Sequence, residues 1–230
     1  MIRLSTQGPF CSNREMNENS AIISPRAGRP TREQAEARHE LLLDRAIDHF
    51  LEKGFERATV EGIAADVNMT KRTVYARYPD KETLFRAAVE RAIRRFAVSQ
   101  EIIEATRDKD FRQTLTNIAM LRIKVVSTDE GLKLQRIINT ESYRFPDIYT
   151  TYFEIAARPT STFLTKLLTE ENEAGRLAVD NPGMAAVIFM SMVIGGPVSL
   201  IVSGNPLPRE QLKERVAFGV NLFLEGAKPR

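Results

Sequence analysis

Apolar positions recur every three or four residues along most of the chain, the period of an amphipathic helix, and no run alternates long enough to argue for a strand. Leu43, Ala46, Ile47, Phe50 and Leu51 make the stripe of a first helix that begins near Arg32, and Gly54 supplies its stop. Thr59 stands where it can cap a short second helix carrying Val60, Ile63, Ala64 and Val67. Asn68 follows, a residue that tolerates the left-handed backbone of a tight turn. Thr70 caps a third helix, Lys71 to about Tyr78, closed by Pro79. Asp80 then opens a fourth helix with Leu84, Phe85, Ala88, Val89, Ala92, Ile93 and Phe96 on one face. Beyond Ser99 the pattern predicts five more helices: 109–126, 129–144, 147–173 (interrupted near Pro159), 181–203 and 208–225. The expected fold class is all-α.

Residues 1–31 break this pattern. They are rich in Ser, Asn, Pro and Arg, without an apolar period, and read as a disordered basic arm. Met16 is a candidate native start alternative to Met1. The Arg26-x-Gly28-Arg29-Pro30 run could lay arginines into a minor groove, or be a plain linker. The N-terminus lacks the sustained apolar block of a secretion signal. Met184–Val202 is the nearest thing to a membrane span, but Gly195, Gly196 and Pro197 make it read as a buried helix, so no membrane is expected. Cys11 is the sole cysteine, which rules out an intrachain disulfide and fits a reducing cytoplasm. His39 and His49, the only histidines, are ten residues apart on one helix and turn to different faces, a poor start for a zinc site. No metal or other cofactor is expected, and no convergent catalytic set argues for an enzyme.

Charge sharpens the picture. The net charge is only +3, yet residues 71–95 hold eight basic against three acidic side chains, while residues 101–230 hold sixteen of each. A basic zone on a neutral body suggests a polyanion-binding end and another task for the rest. The segment 59–81 has the make-up of a helix-turn-helix: a short helix, a sharp turn, and a second helix with one apolar and one polar side. Ile63, Ala64, Val67, Met69 and Val74 suit the inner side, and Tyr78 can join them. Lys71, Arg72, Thr73, Tyr75, Ala76 and Arg77 suit the outer side. Arginine forks onto guanine edges or grips phosphates, and hydroxyls suit phosphate oxygens. Thr59 and Thr70 sit at helix N-termini, where free N–H groups favour a phosphate.

Residues 33–96 resemble the N-terminal domain of the TetR family of bacterial repressors. The matching positions are Phe50, Gly54, Thr59, Val60, Ile63, Ala64, Thr70, Thr73, Val74, Tyr75, Tyr78, Lys81, Glu82 and Leu84. The family usually has glycine where Asn68 stands, and often a small residue or proline where Arg72 stands. The resemblance implies that Thr59, Tyr75 and Lys81 touch phosphates and that Lys71, Arg72, Thr73 and Arg77 face bases or the adjoining backbone. With Thr70 and Tyr78 these form the expected DNA-binding set. The implied organisation is a helix-turn-helix domain over 32–96 and a ligand-binding and dimerisation domain over 97–230. The implied function is a dimeric repressor that binds a palindromic operator in double-stranded DNA and is released by a small-molecule effector. An activator or an interaction module on the same scaffold is the alternative.

Within the second part, residues 136–146 and 175–180 resemble the C-terminal region of AcrR/AefR-like members of the family. Ala185, Ala186, Phe189, Met192, Val193, Gly196 and Leu200, with Val216, Phe218, Leu222 and Phe223, match in position the family's dimer helices, a folded-back monomer core being the other reading. Leu121, Val125, Leu134, Ile138, Tyr143, Phe153, Phe163, Leu167 and Met190 are the candidates for a largely apolar effector pocket, with Glu141, Ser142, Arg144, Thr150 and Ser191 as polar company.

Overall fold

The computed structural model describes residues 31–229. The basic arm, with Cys11, Met16 and the Arg26–Pro30 run, lies outside the described residues. Within them the chain is helical and contains no strand. The first four helices are α1 (Arg32–Arg57), α2 (Val60–Asp66), α3 (Lys71–Tyr75) and α4 (Lys81–Phe96). Their ends are set by side chains at the expected places. Thr59, Thr70 and Asp80 accept hydrogen bonds from the backbone N–H groups of Gly62, Thr73 and Thr83. Each satisfies an N–H that has no partner inside its helix. Asn68 takes the left-handed conformation, φ 53°, between α2 and α3. Gly54 has φ 74° within α1 and kinks it, so the final turn, Phe55–Arg57, leaves the axis.

The rest comprises α5 (Gln100–Glu104), α6 (Phe111–Val126), α7 (Asp129–Glu141), α8 (Pro146–Tyr152), α9 (Arg158–Glu173), α10 (Pro182–Phe189), α11 (Gly196–Val202) and α12 (Arg209–Gly226). The interruption expected near Pro159 is instead a π-helical stretch, Phe153–Ala157, that joins α8 to α9. A second, Met190–Gly195, joins α10 to α11 just before Pro197. A proline inside a helix lacks the N–H and crowds the carbonyl four residues back, and a widened turn accommodates this without ending the helix. The five-residue α5 has no counterpart in the sequence reading.

Two apolar clusters hold the molecule together. The first runs through α1–α4 and continues into α7 and α8, with Leu134, Ile137, Ile138, Phe145 and Ile148. The second gathers α6, α9, α10 and α12 around Leu115, Ile118, Phe163, Leu164, Phe189 and Val216. Phe145, in the α7–α8 connection, packs its ring 5.0 Å from both Phe55 and Phe85. Lys133–Asp48 (2.6 Å), Arg144–Glu56 and Arg86–Asp147 add ion pairs across the same junction. The helix-turn-helix head is therefore seated on the body through α4, α7 and α8.

The stretch Pro182–Val202 departs from expectation. It is long and apolar enough, by composition, to cross a membrane, but only 28% of its apolar 18-residue window is buried within the protomer. Met184, Val187, Ile188 and Met192 are exposed, beside Phe218 and Leu222 of α12. Ala186, Phe189, Val193 and Val216, grouped with the dimer helices from the sequence, are packed inside the protomer instead. Gly219 lets α12 approach closely, since a Cβ there would lie 3.1 Å from Val193.

Candidate nucleic-acid interface and effector cavity

The helix pair is positioned from below. Ile63, Ala64, Val67 and Val74 are buried, with Ala64 small enough to let α3 lie close to α2. His49, at the base of α1, bonds Asp66 of α2 at 2.7 Å and fixes the pair to the first helix. Arg72, Thr73 and Arg77 are exposed on the outer side, Thr59 and Thr70 are exposed at the helix N-termini, and Tyr75 is half-buried. Lys71 is exposed but pairs with Glu61 and lies over the Tyr75 ring at 5.4 Å. The Glu61 carboxylate raises the Lys71 pKa, so the ammonium stays charged. The Thr70 and Thr73 hydroxyls bond each other at 2.8 Å.

Two members of the expected DNA-binding set sit differently. Tyr78 is buried, its hydroxyl bonded to His39 and its ring stacked on the imidazole at 5.7 Å. It lies beyond the end of α3 at Tyr75, so a helical face extrapolated to it does not apply. Lys81 donates to the carbonyls of Phe55 (2.8 Å) and Glu56 (3.0 Å) and lies 4.6 Å over the Phe55 ring. Those carbonyls are free because Gly54 breaks the helix there, and the lysine serves as their cap.

His39 also makes a pH-dependent contact. Burial first, then the Arg77 and Arg91 cations, lower its pKa from the ordinary 6.5. Its contribution to stability is complete above the unfolded value and is lost as pH falls through the folded one. In urea denaturation the native midpoint should drop more between about pH 7.5 and about pH 5.5 than that of His39→Gln. Equal drops would show that His39 carries none of the effect.

A cavity of about 220 Å³ lies between α6, the α8–α9 rod and the α10–α11 rod. Both π-helical stretches contribute to it, through Phe153 and Ala157 on one side and Met190, Ser191, Ile194 and Gly195 on the other. Arg122, Val126, Tyr149, Tyr152, Ser161, Val187 and Val198 complete the lining. Of the expected apolar pocket residues Phe153 and Met190 line this cavity, and of their expected polar company Ser191 does. Leu121 and Val125 line a separate pocket beside Phe96 and Ile102, and Leu134 borders a polar cleft between Asp48 and Lys133. Ile138, Phe163 and Leu167 are core. Tyr143 is 99% exposed, in the turn after α7, and lines nothing. Arg122 and Tyr152 were missed. The available signal was a charged residue in the middle of the apolar stripe Leu115, Ile118, Ala119, Ile123, Val126.

Among the described residues no group of three or more His, Cys, Asp or Glu could hold a metal ion. A capped helix pair with a cationic outer face, on an all-helical body that carries a cavity, defines a helix-turn-helix DNA-binding regulator. Residues 42–88 match the family of bacterial regulatory proteins of the TetR type, and residues 113–226 match the C-terminal domain of AefR-like transcriptional repressors. The chain belongs to the TetR family. It is similar to the biofilm operon negative regulator IcaR of Staphylococcus epidermidis, 36% identical over 24% of this chain and 30% of that protein. It is also similar to the transcriptional repressor Rv1474c of Mycobacterium tuberculosis, 22% identical over 74% of this chain and 84% of that one. The solved flavonoid-responsive regulator FrrA superposes with a TM-score of 0.66 at 27% identity, covering 85% of this chain and 99% of that one.

Proposed function

We propose that the protein is a dimeric transcription repressor that grips a palindromic operator through α3 and releases it when a small molecule fills the cavity between α6, α8–α9 and α10–α11. Residues 32–96 are the DNA-reading domain and residues 97–230 the effector and dimer domain on this reading, and its place of action is the cytoplasm. The observation that carries it is the outer side of α3. Arg72, Thr73 and Arg77 stand in solvent there while Ile63, Ala64, Val67 and Val74 of the helix pair are inside. With Thr59, Thr70, Lys71 and Tyr75 they form the proposed DNA-facing set. Lys71 would exchange Glu61 for a phosphate on binding, and Lys81 and Tyr78 act by holding the pair in place.

The exposed apolar face of α10, the π stretch and α12 fits a second copy of the chain. Pairing would present two α3 helices to successive major grooves about 34 Å apart. Release then needs an effector that binds more tightly to the protomer arrangement in which that spacing is lost. The cavity is well placed for this, because Tyr152 contacts Phe96 at the end of α4, ring to ring at 6.1 Å, and α4 carries the head.

Gel-shift competition with the intergenic DNA flanking the gene tests the assignment. Arg77→Ala should lose about 1–3 kcal/mol of preference for the specific site over random DNA. Tyr75→Ala should weaken both and lower the salt slope by about one. If Arg77→Ala weakens specific and random DNA alike, α3 is not reading bases through that residue.

A further inference from the structure

Arg122 is the charged residue of the cavity lining, and its charge has no role in the function proposed so far. It is 3% exposed and sits mid-helix in α6, between the apolar neighbours Ala119, Ile123 and Val126. Its Nη1 has no hydrogen-bond partner among the described residues. Among the described residues no carboxylate pairs with it. The groups around it are the Phe96 ring, 5.7 Å from the guanidinium carbon, and the Tyr152 phenol, whose oxygen accepts from Gln135 Nε2 at 2.9 Å. Burial lowers its pKa and Tyr152 opposes that shift, with no other charged group acting on it. A guanidinium remains protonated even so.

An unpaired buried cation is costly, and proteins that retain one give it a partner. Here the partner can come from outside. The cavity walls otherwise offer aromatic and aliphatic surface from Tyr149, Phe153, Val187 and Ile194, with the Ser161 and Ser191 hydroxyls at hand. An engineered apolar cavity of about 150 Å³ accepts benzene, so about 220 Å³ takes a somewhat larger ring system.

We propose that Arg122 is the anion anchor of the effector cavity, and that the effector is a small apolar acid, an aromatic or aliphatic body bearing one carboxylate. This rests on the cavity being the effector site. The carboxylate takes the free Nη1 position, and the body packs between the two π-helical stretches. Because the guanidinium also rests on Phe96, capturing an anion at Arg122 acts on the end of α4.

The test uses the full chain and a matched pair of probes, 2-naphthoate and the neutral 2-naphthamide, in isothermal titration calorimetry. The native protein should bind the acid at least about tenfold more tightly than the amide, the scale of a charge-assisted hydrogen bond. Arg122→Met should bind both equally, and without ligand its thermal midpoint should equal or exceed the native one, since an apolar isostere replaces an unpaired charge. Arg122→Lys should restore part of the preference, which a packing role for Arg122 would not predict. Equal affinity of the native protein for acid and amide, or no binding of the acid at about millimolar concentration, overturns the proposal. So does an acid preference that survives in Arg122→Met. Gel shifts on the same samples keep the two readings apart: a native protein that prefers the acid but never binds the flanking DNA refutes the repressor and leaves the anion anchor standing.

Discussion

Aspartate at both Ile188 and Phe218 should give a folded monomer whose affinity for its specific DNA is about 10²–10⁴-fold below that of the native protein. The two side chains are 51% and 69% exposed in the protomer, and they flank the apolar face that also carries Met184, Val187 and Leu222. Neither contributes to the buried clusters, so a charge there leaves the fold intact while making a second copy bury two carboxylates. One reading head binds DNA far more weakly than two linked heads, because the second contact ceases to be intramolecular. Sedimentation equilibrium and gel shift on the same preparation check both halves. A variant that keeps the native mass would place the self-association surface elsewhere, and a native protein that is itself monomeric would leave the Pro182–Val202 face without its proposed occupant.

Phe145→Ala should cost about 3–5 kcal/mol of stability, the range for truncating a fully packed aromatic. The ring is 3% exposed and wedged between Phe55 and Phe85, under the Arg86 and Arg144 guanidiniums at 5.1 and 5.4 Å. It belongs to the body, while the rings it touches belong to the head, so its loss loosens the joint as well as the core. Chemical denaturation should show either one transition at much lower denaturant or two separate transitions. A loss below about 1 kcal/mol would mean that the head–body seat depends on the surface ion pairs rather than on this ring, against the usual small worth of such pairs.

What the sequence disclosed and what it hid follow a physical line. Thr59, Thr70 and Asp80 announced themselves because an N-cap needs a short side-chain acceptor at one position, and that need is local. Asn68 was legible for the same reason, since few residues adopt its backbone conformation. The helices failed to show where the cause is not local. α5 is too short for a period to register. Pro159 read as an interruption and the stretch before Pro197 as plain helix, because a π-helical turn has no sequence signature of its own, and whether a proline breaks or widens a helix is settled by packing.

Side-chain roles followed the same rule. Tyr78 and Tyr143 lie just past the ends of α3 and α7, where the helical wheel no longer says which way a residue points. Lys81 went to the carbonyls exposed by the Gly54 kink, a partner 26 residues away that no short window contains. The pocket was the least legible feature. Apolar residues at helical spacing belong to core and cavity alike, so Ile138, Phe163 and Leu167 turned out to be packing while Phe153 and Met190 line the cavity. Arg122 carried the better signal, a cation on an apolar stripe, which is where burial and function conflict most openly.

DNase I footprinting of the full chain on the intergenic DNA beside its gene puts the central claim to its most direct trial. The expected result is protection of one discrete site with two-fold symmetry, its half-sites about one or two helical turns apart, lost when Arg72 and Arg77 are both replaced by alanine. Protection that is uniform along the fragment and unchanged by that double replacement would contradict a DNA-reading role for α3.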